Sequence, residues 1–309
     1  MHLMIPYAAP LAEAARQAAS ILVLPRMQAL MARLVEVERD EGDEWSLSPP
    51  HERARADALG LRCGDGRLPW AALLATGDGL FVGDQAWGLV TPTHWHLGTD
   101  QVSLLDPRIL ELDESSSRAL LAAVQELFTS RGFAVHYGAP LRWYLAHPSL
   151  AKLATASLDR VIGRNVDVWL GKDPALHAIR RLQSEVQMQL HTHPLNAQRE
   201  ARGLLPVNSF WLSGCGVAQA ATAASPQQDL RLRGPALADD WAAWAKAWET
   251  LDEGPMAELL ALAQAGEPLR LTLCGDRAWA AFEPGPSTLG RRLRSLWSKP
   301  SVAPLLASL

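Results

Sequence analysis

The sequence is short of several things, and each shortage excludes a class of protein. Three cysteines in 309 residues, Cys63, Cys215 and Cys274, are odd in number and widely spaced, and no C-x-x-C occurs. That rules out a disulfide framework and a zinc ribbon, and it fits a reducing compartment. Positive charge is not in excess: 29 Lys+Arg face 33 Asp+Glu, for a net charge of -4 and a pI near 6.1. Broad, sequence-independent binding of nucleic acid therefore lacks the field it needs, although a local anion site does not. No apolar run reaches the roughly 18 residues of a membrane span. The start, M-H-L-M-I-P-Y-A-A-P, has no basic lead-in to an apolar stretch. The expectation is a cytoplasmic protein with no membrane partner. Familiar catalytic signatures are missing too: G-x-G-x-x-G, the phosphate loop G-K-[ST] and the nucleophile elbow G-x-S-x-G are absent. No cofactor is expected.

What the chain does have in quantity is tryptophan, with twelve residues. Two uses are open: core packing, since indole buries a large area, or flat platforms for a ligand. Packing is the expectation, because no basic stripe interleaves with most of them.

Periodicity gives the elements. Residues 3–7 read as a first strand, and Pro25 opens a helix with Met27, Leu30, Met31 and Leu34 on one stripe. The acidic stretch 36–44 and the prolines at 49 and 50 read as a surface loop or a boundary, and the glycines within 61–78 as turns. Residues 81–105 have strand character. A helix follows from Asp113, with Leu120, Leu121, Val124, Leu127 and Phe128 buried and Gly132 as its stop. Residues 133–137 read as a strand, and Asp173-Pro174 opens another helix that ends at Pro194. Residues 205–212 read as a strand, followed by S-G-C-G at 213–216. Trp241, Trp244 and Trp248 share one side of a later helix, and Gly275-Asp276 joins a hairpin. Strands alternating with helices predict an α/β or α+β fold, a central mixed sheet covered by helices. The expected organisation is a main domain over 1–215, a flexible excursion over 216–235, and C-terminal helices and a hairpin over 236–309 packed on the main domain.

Chemistry concentrates in 141–216. Arg160, Arg164, Arg180 and Arg199 are candidates for an anion pocket, because a guanidinium fork matches phosphate or carboxylate. Arg180, Ser184, Gln187 and His191 share a helix face at spacings of three and four. Asn165, Asn208, Ser209 and Ser213 would line the pocket's edge. The other use of the same residues is a solvated helix face with an Arg181–Glu185 pair. Local charge does not decide, with seven Lys+Arg against five Asp+Glu from 159 to 202. The S-G-C-G run serves either as a backbone nest for an anion or as a tight turn after a buried strand. His94-Trp95-His96 and His191-Thr192-His193 present either metal ligands or polar surface; the second pair straddles a helix end, where ligand geometry fails. Cys215 has no base that the sequence places beside it.

The same segment carries a family resemblance. T-A-S-L-D-R-V-I-G-R-N-V-D-V-W-L, R-R-L-Q-S-E-V-Q-M-Q-L-H-T-H-P-L-N and L-P-V-N-S-F-W-L-S-G-C-G resemble the RpfE-type regulatory proteins of proteobacteria, as do T-P-T-H-W-H-L-G-T-D and L-R-W-Y. That family is commonly labelled as similar to cofactor-independent phosphoglycerate mutases, which have the alkaline-phosphatase-like fold. The resemblance thus implies a degenerate form of that fold. Such mutases need a Ser or Thr nucleophile and two metal ions held by Asp and His, beginning with an Asp-Gly pair after the first strand. Here that strand runs into Pro6-Tyr7-Ala8-Ala9-Pro10, and no D-H-G follows. The expectation is therefore a regulatory or ligand-binding protein without the catalytic metal set, its partner a phosphorylated or carboxylate small molecule. A phosphoglycerate mutase-like phosphotransferase is the alternative. A third reading is a protein-interaction module, with the Trp244 helix and the basic amphipathic stretch 291–297, including Trp297, as surfaces for a protein partner.

Overall fold

The structure is a computed structural model that describes residues 1–171, 173–285 and 302–309. The basic stretch 291–297 lies outside them. The strands are β1 (His2–Ala9), β2 (Leu34–Glu41), β3 (Ala86–Thr93), β4 (Trp95–Leu97), β5 (Val102–Leu104), β6 (Ala134–Ala139), β7 (Arg142–Ala146), β8 (Ser209–Val217), β9 (Gln227–Gln228), β10 (Arg270–Gly275) and β11 (Ala278–Pro284). The fold is a mixed α/β one in two compact units: 1–45, 49–60 and 222–309 in the first, 46–48 and 61–221 in the second. The units interleave along the chain, where composition suggests consecutive pieces. The reason is pairing at long range: β1 lies parallel to β10 and also to β9, within the span read as an excursion.

The first unit is built on a mixed sheet in the order β2-β11-β10-β1-β9. Its central strands are apolar on both faces because both are covered. Leu3, Ile5, Leu271, Leu273, Ala280 and Phe282 join Trp244, Trp248, Met256 and Leu259 in one core. Met4, Cys274, Trp279 and Ala281 point the other way, onto Ala54 of the helix Pro50–Ala58. Trp244 and Trp248 are fully buried, so the tryptophan helix Trp241–Glu253 spends these rings on the core rather than on a docking surface.

Residues 36–41, expected in a loop, belong to the edge strand β2. Their charges mask the period-two pattern because they are paired along the edge: Glu36 with Arg39 at 2.8 Å, Asp40 with Arg53 at 2.6 Å, and Glu38 with Arg270. A charged edge also discourages pairing with another chain. The helix Glu13–Ser20 went unrecognised in the pattern, since alanine supplies most of its apolar side.

The second unit holds an antiparallel sheet, β6-β7-β3-β8, which the sequence did not separate from the first. Trp143 and Leu145 face the helices Glu114–Thr129 and His177–His191, while Tyr144 and Ala146 face the helix Trp70–Gly77. That last helix occupies a stretch expected to be turns. Asp113 caps the helix it was expected to cap, accepting from Ser116 N at 2.7 Å. Ser213 to Gly216 lie inside β8 instead of turning after it. Trp87 pairs with Gly216 and Leu89 with Ser213, so β8 carries one extra residue, a β-bulge. Gly214 sits there at φ 64°, and a Cβ would lie 3.0 Å from both Ala71 N and Trp70 Cβ. The glycine serves close packing of β8 on the helix. No described helix is long and apolar enough to cross a membrane.

Candidate functional site

The residues singled out between 160 and 213 all fall in the second unit. Arg199 is buried; its Nε donates to Leu205 O at 2.9 Å and its Nη2 to Leu110 O. Burial holds its pKa below the ordinary guanidinium value. Arg180 donates from Nη2 to Leu170 O at 3.2 Å. Arg160 is buried in the short helix Leu158–Val161. Arg164 is exposed, with its guanidinium 5.9 Å from the centre of the Trp169 ring. Arg164, Arg180 and Arg199 share no hydrogen-bond partner among the described residues; Arg180 and Arg199 tie down backbone carbonyls.

The remaining residues have equally local partners. Asn165 caps the helix Val166–Trp169 through Asp167 N at 3.0 Å. Gln187 Nε2 reaches Ser209 Oγ at 3.4 Å, and the neighbouring Gln183 donates to Phe210 O at 3.1 Å. Asn208 holds both backbone groups of Trp95, accepting from its N–H at 2.7 Å and donating to its carbonyl at 2.9 Å. Ser213 is buried in β8, and His191 is exposed at its helix end. His193 caps the next helix, Pro194–Ala201. His94 Nδ1 pairs with Pro206 O at 2.8 Å, its ring 6.4 Å from that of His96. Among the described residues no three His, Cys, Asp or Glu side chains gather to hold a metal ion. Cys215 is buried, and burial pushes its thiol pKa up to about 12, so it is no thiolate near neutral pH. The cavity beside Trp169, Gln183 and Trp211 has about 20 Å³, room for a water and little more.

One polar cluster in this unit was not assembled from the sequence, because only two of its members lie in the segment 141–216. Arg142 donates to both oxygens of Asp78, at 2.7 and 3.0 Å, and the Tyr144 hydroxyl donates to Asp78 Oδ2 at 2.6 Å. The Arg142 hydrogen bonds, with help from Tyr144, hold the Asp78 carboxyl below its usual range against the opposing effect of burial. Arg142 and Tyr144 stand two residues apart on β7, and Asp78, more than 60 residues earlier in the chain, reaches them from the end of the helix Trp70–Gly77.

The first unit contains a larger space. A cavity of about 360 Å³ opens where the parallel strands β1 and β10 end. Carboxyl ends of parallel strands are where open α/β sheets leave room for ligands. The local backbone is irregular there: β1 bulges between Ile5 and Ala9, with Tyr7 at φ 59°. Asp276 staples the two strand ends, accepting from Leu11 N at 2.9 Å and donating its own N–H to Ala9 O at 3.2 Å. Ala15 and Ala19 of the helix Glu13–Ser20 form one side, and Pro304, Leu306 and Leu309 another. Arg16 and Arg277 line the cavity, both exposed, and neither makes an ion pair among the described residues. Sequence reasoning passed over both because they are isolated from any motif. The hairpin turn that carries Arg277 was legible; that it lines one cavity with Arg16 was not.

No protein-family model matches the sequence, and no curated protein matches it. Among solved structures, the chain is similar to a cofactor-independent phosphoglycerate mutase from Thermoplasma acidophilum DSM 1728, at 14% identity, with 93% of this chain and 90% of that chain covered and a TM-score of 0.39. It is also similar to the PH0037 protein from Pyrococcus horikoshii, at 11% identity, with 92% and 87% covered and a TM-score of 0.48.

Proposed function

We propose that this chain is a cytoplasmic, ligand-binding regulatory protein of the RpfE type, which binds a small anion without turning it over. The observation that carries the reading is the cavity at the ends of β1 and β10, lined by two exposed arginines that make no ion pair among the described residues. Arginine that is not internally paired keeps its donors available for a carboxylate or phosphate. Ala9, Leu306 and Leu309 of its lining belong to the buried core of the first unit, so the cavity is a feature of a formed scaffold.

Thermal-shift measurements with acetate and inorganic phosphate test the reading. Both anions are expected to stabilise the protein, and Arg16→Ala with Arg277→Ala is expected to remove that response. Arg164→Ala serves as the comparison, because Arg164 is exposed in the second unit, with its guanidinium 5.9 Å from the centre of the Trp169 ring. Loss of the response in Arg164→Ala but not in the double variant would move the site to the second unit. No response to either anion would end the ligand-binding reading. The competing phosphotransferase reading predicts bound divalent metal and turnover of 3-phosphoglycerate, and metal analysis of the purified protein separates the two.

A further inference from the structure

Two features of the cavity go beyond an anion site. Among the described residues that line it, the polar side chains are Arg16, Ser20 and Arg277, and the rest are alanine, proline and leucine. Its volume of about 360 Å³ equals that of roughly twelve waters in the liquid, and it falls in the small-molecule range. Water filling such a space finds few polar partners on the alanine and proline walls. Acetate or phosphate at the arginines would leave most of it unfilled.

The walls are also stiff. Alanine and proline lose no side-chain freedom when a ligand orders them. The wall formed by the helix Val302–Ala307 and the residues after it is fastened to the hairpin: Leu309 O accepts from Ala278 N at 2.8 Å and from Arg277 N at 3.3 Å, and Arg39 Nη1 donates to Ser308 O at 3.0 Å. Gly275 makes the fastening possible, since a Cβ there would lie 2.6 Å from the Leu309 carbonyl. Its φ is ordinary, so only this contact demands glycine.

We infer that the cavity takes a carboxylate carried on a rigid apolar body, with Arg16 and Arg277 meeting the carboxylate and the wall of residues 302–309 covering the body. This rests on the anion-binding reading above. It adds the apolar half of the ligand and the part of the chain that recognises it.

Three probes separate the halves: acetate for the anionic head, 2-naphthoate for head and body, and 2-naphthalenemethanol for the body with a neutral head. Calorimetric titration of the full chain is expected to show 2-naphthoate binding about tenfold or more tighter than either of the others, as burial of several apolar carbons requires. Ala19→Leu fills the cavity from the helix side, and Gly275→Ala loosens the far wall. Each is expected to weaken 2-naphthoate about tenfold while the acetate response stays. Ala19→Leu sits on a partly exposed helix face, so it keeps the test valid if Gly275→Ala folds poorly. Equal affinity for acetate and 2-naphthoate, or 2-naphthoate binding indifferent to Ala19→Leu, would overturn the inference and leave the anion reading standing. Binding of the alcohol as tight as that of 2-naphthoate would overturn the role of the arginines and with it both readings.

Discussion

Asn208 closes both backbone hydrogen bonds of Trp95, with its amide oxygen 2.7 Å from Trp95 N and its amide nitrogen 2.9 Å from Trp95 O. The side chain thereby stands in for a neighbouring strand at the point where the chain leaves β3 for β4. Asn208→Ala leaves a partly buried donor and acceptor unmatched, and stability is expected to fall by about 1–3 kcal/mol in urea denaturation. The response to acetate and phosphate is expected to be unchanged. A stable variant that has lost its anion response would instead make Asn208 a ligand contact.

The Asp78 cluster predicts a second, pH-dependent effect. The folded-state pKa of Asp78 is depressed, chiefly by the Arg142 hydrogen bonds. Its contribution to stability is therefore present above the ordinary carboxylate range and is lost as pH falls through the depressed value. Tyr144→Phe removes one donor to a charged acceptor and is expected to cost about 1.5–3 kcal/mol at neutral pH. The difference from the parent should shrink in acid, as measured by denaturation midpoints across pH. Gly138→Ala should damage the same cluster, because its Cβ would lie 2.3 Å from Asp78 Oδ2 and 2.5 Å from Tyr144 Cε2.

His2 predicts acid sensitivity in the first unit. Its ring is hydrogen-bonded with Thr272 Oγ1 at 2.9 Å. Burial first, and then the charge of Arg270, lower its pKa from 6.5 to about 4. Between those values the unfolded chain binds a proton that the folded one refuses, so stability is full above 6.5 and declines as pH falls toward about 4. His2→Gln keeps hydrogen-bonding capacity without a titrating ring. It is expected to flatten this part of the stability profile, and an unchanged slope would show that His2 does not set it.

Thiol chemistry offers a fourth check. Cys215 and Cys274 are fully enclosed, and burial raises both thiol pKa values. Cys63 is partly exposed, with Gln219 Nε2 2.9 Å from its sulfur. An aromatic disulfide reagent at neutral pH is expected to titrate about one thiol in the native protein and all of them in denaturant. Rapid native modification of Cys215 would contradict its place inside β8.

Much of the local structure was legible in the sequence. Apolar spacing and capping marked the helix Glu114–Thr129, and the Gly275-Asp276 turn marked the β10–β11 hairpin. These signals are local, because caps, turns and stripes act within a few residues. The edge strand β2 and the helix Trp70–Gly77 were hidden, the first by paired charges and the second by glycines around it. Gly214 read as a turn, since the sequence does not show that Trp70 and Ala71 come within 3.0 Å of its missing Cβ.

By itself, the sequence determined a mixed α/β chain with reduced thiols, no excess of positive charge and a polar-rich segment from 141 to 216. The tertiary structure decided what the polar residues are for. Arg180 and Arg199 face backbone carbonyls and hold the second unit together. Arg16 and Arg277, more than 250 residues apart, line one apolar cavity because β1 and β10 lie side by side and end together. Parallel pairing joins segments that no local pattern relates, so the best candidate site came from the sheet's connectivity and not from the motif-rich segment.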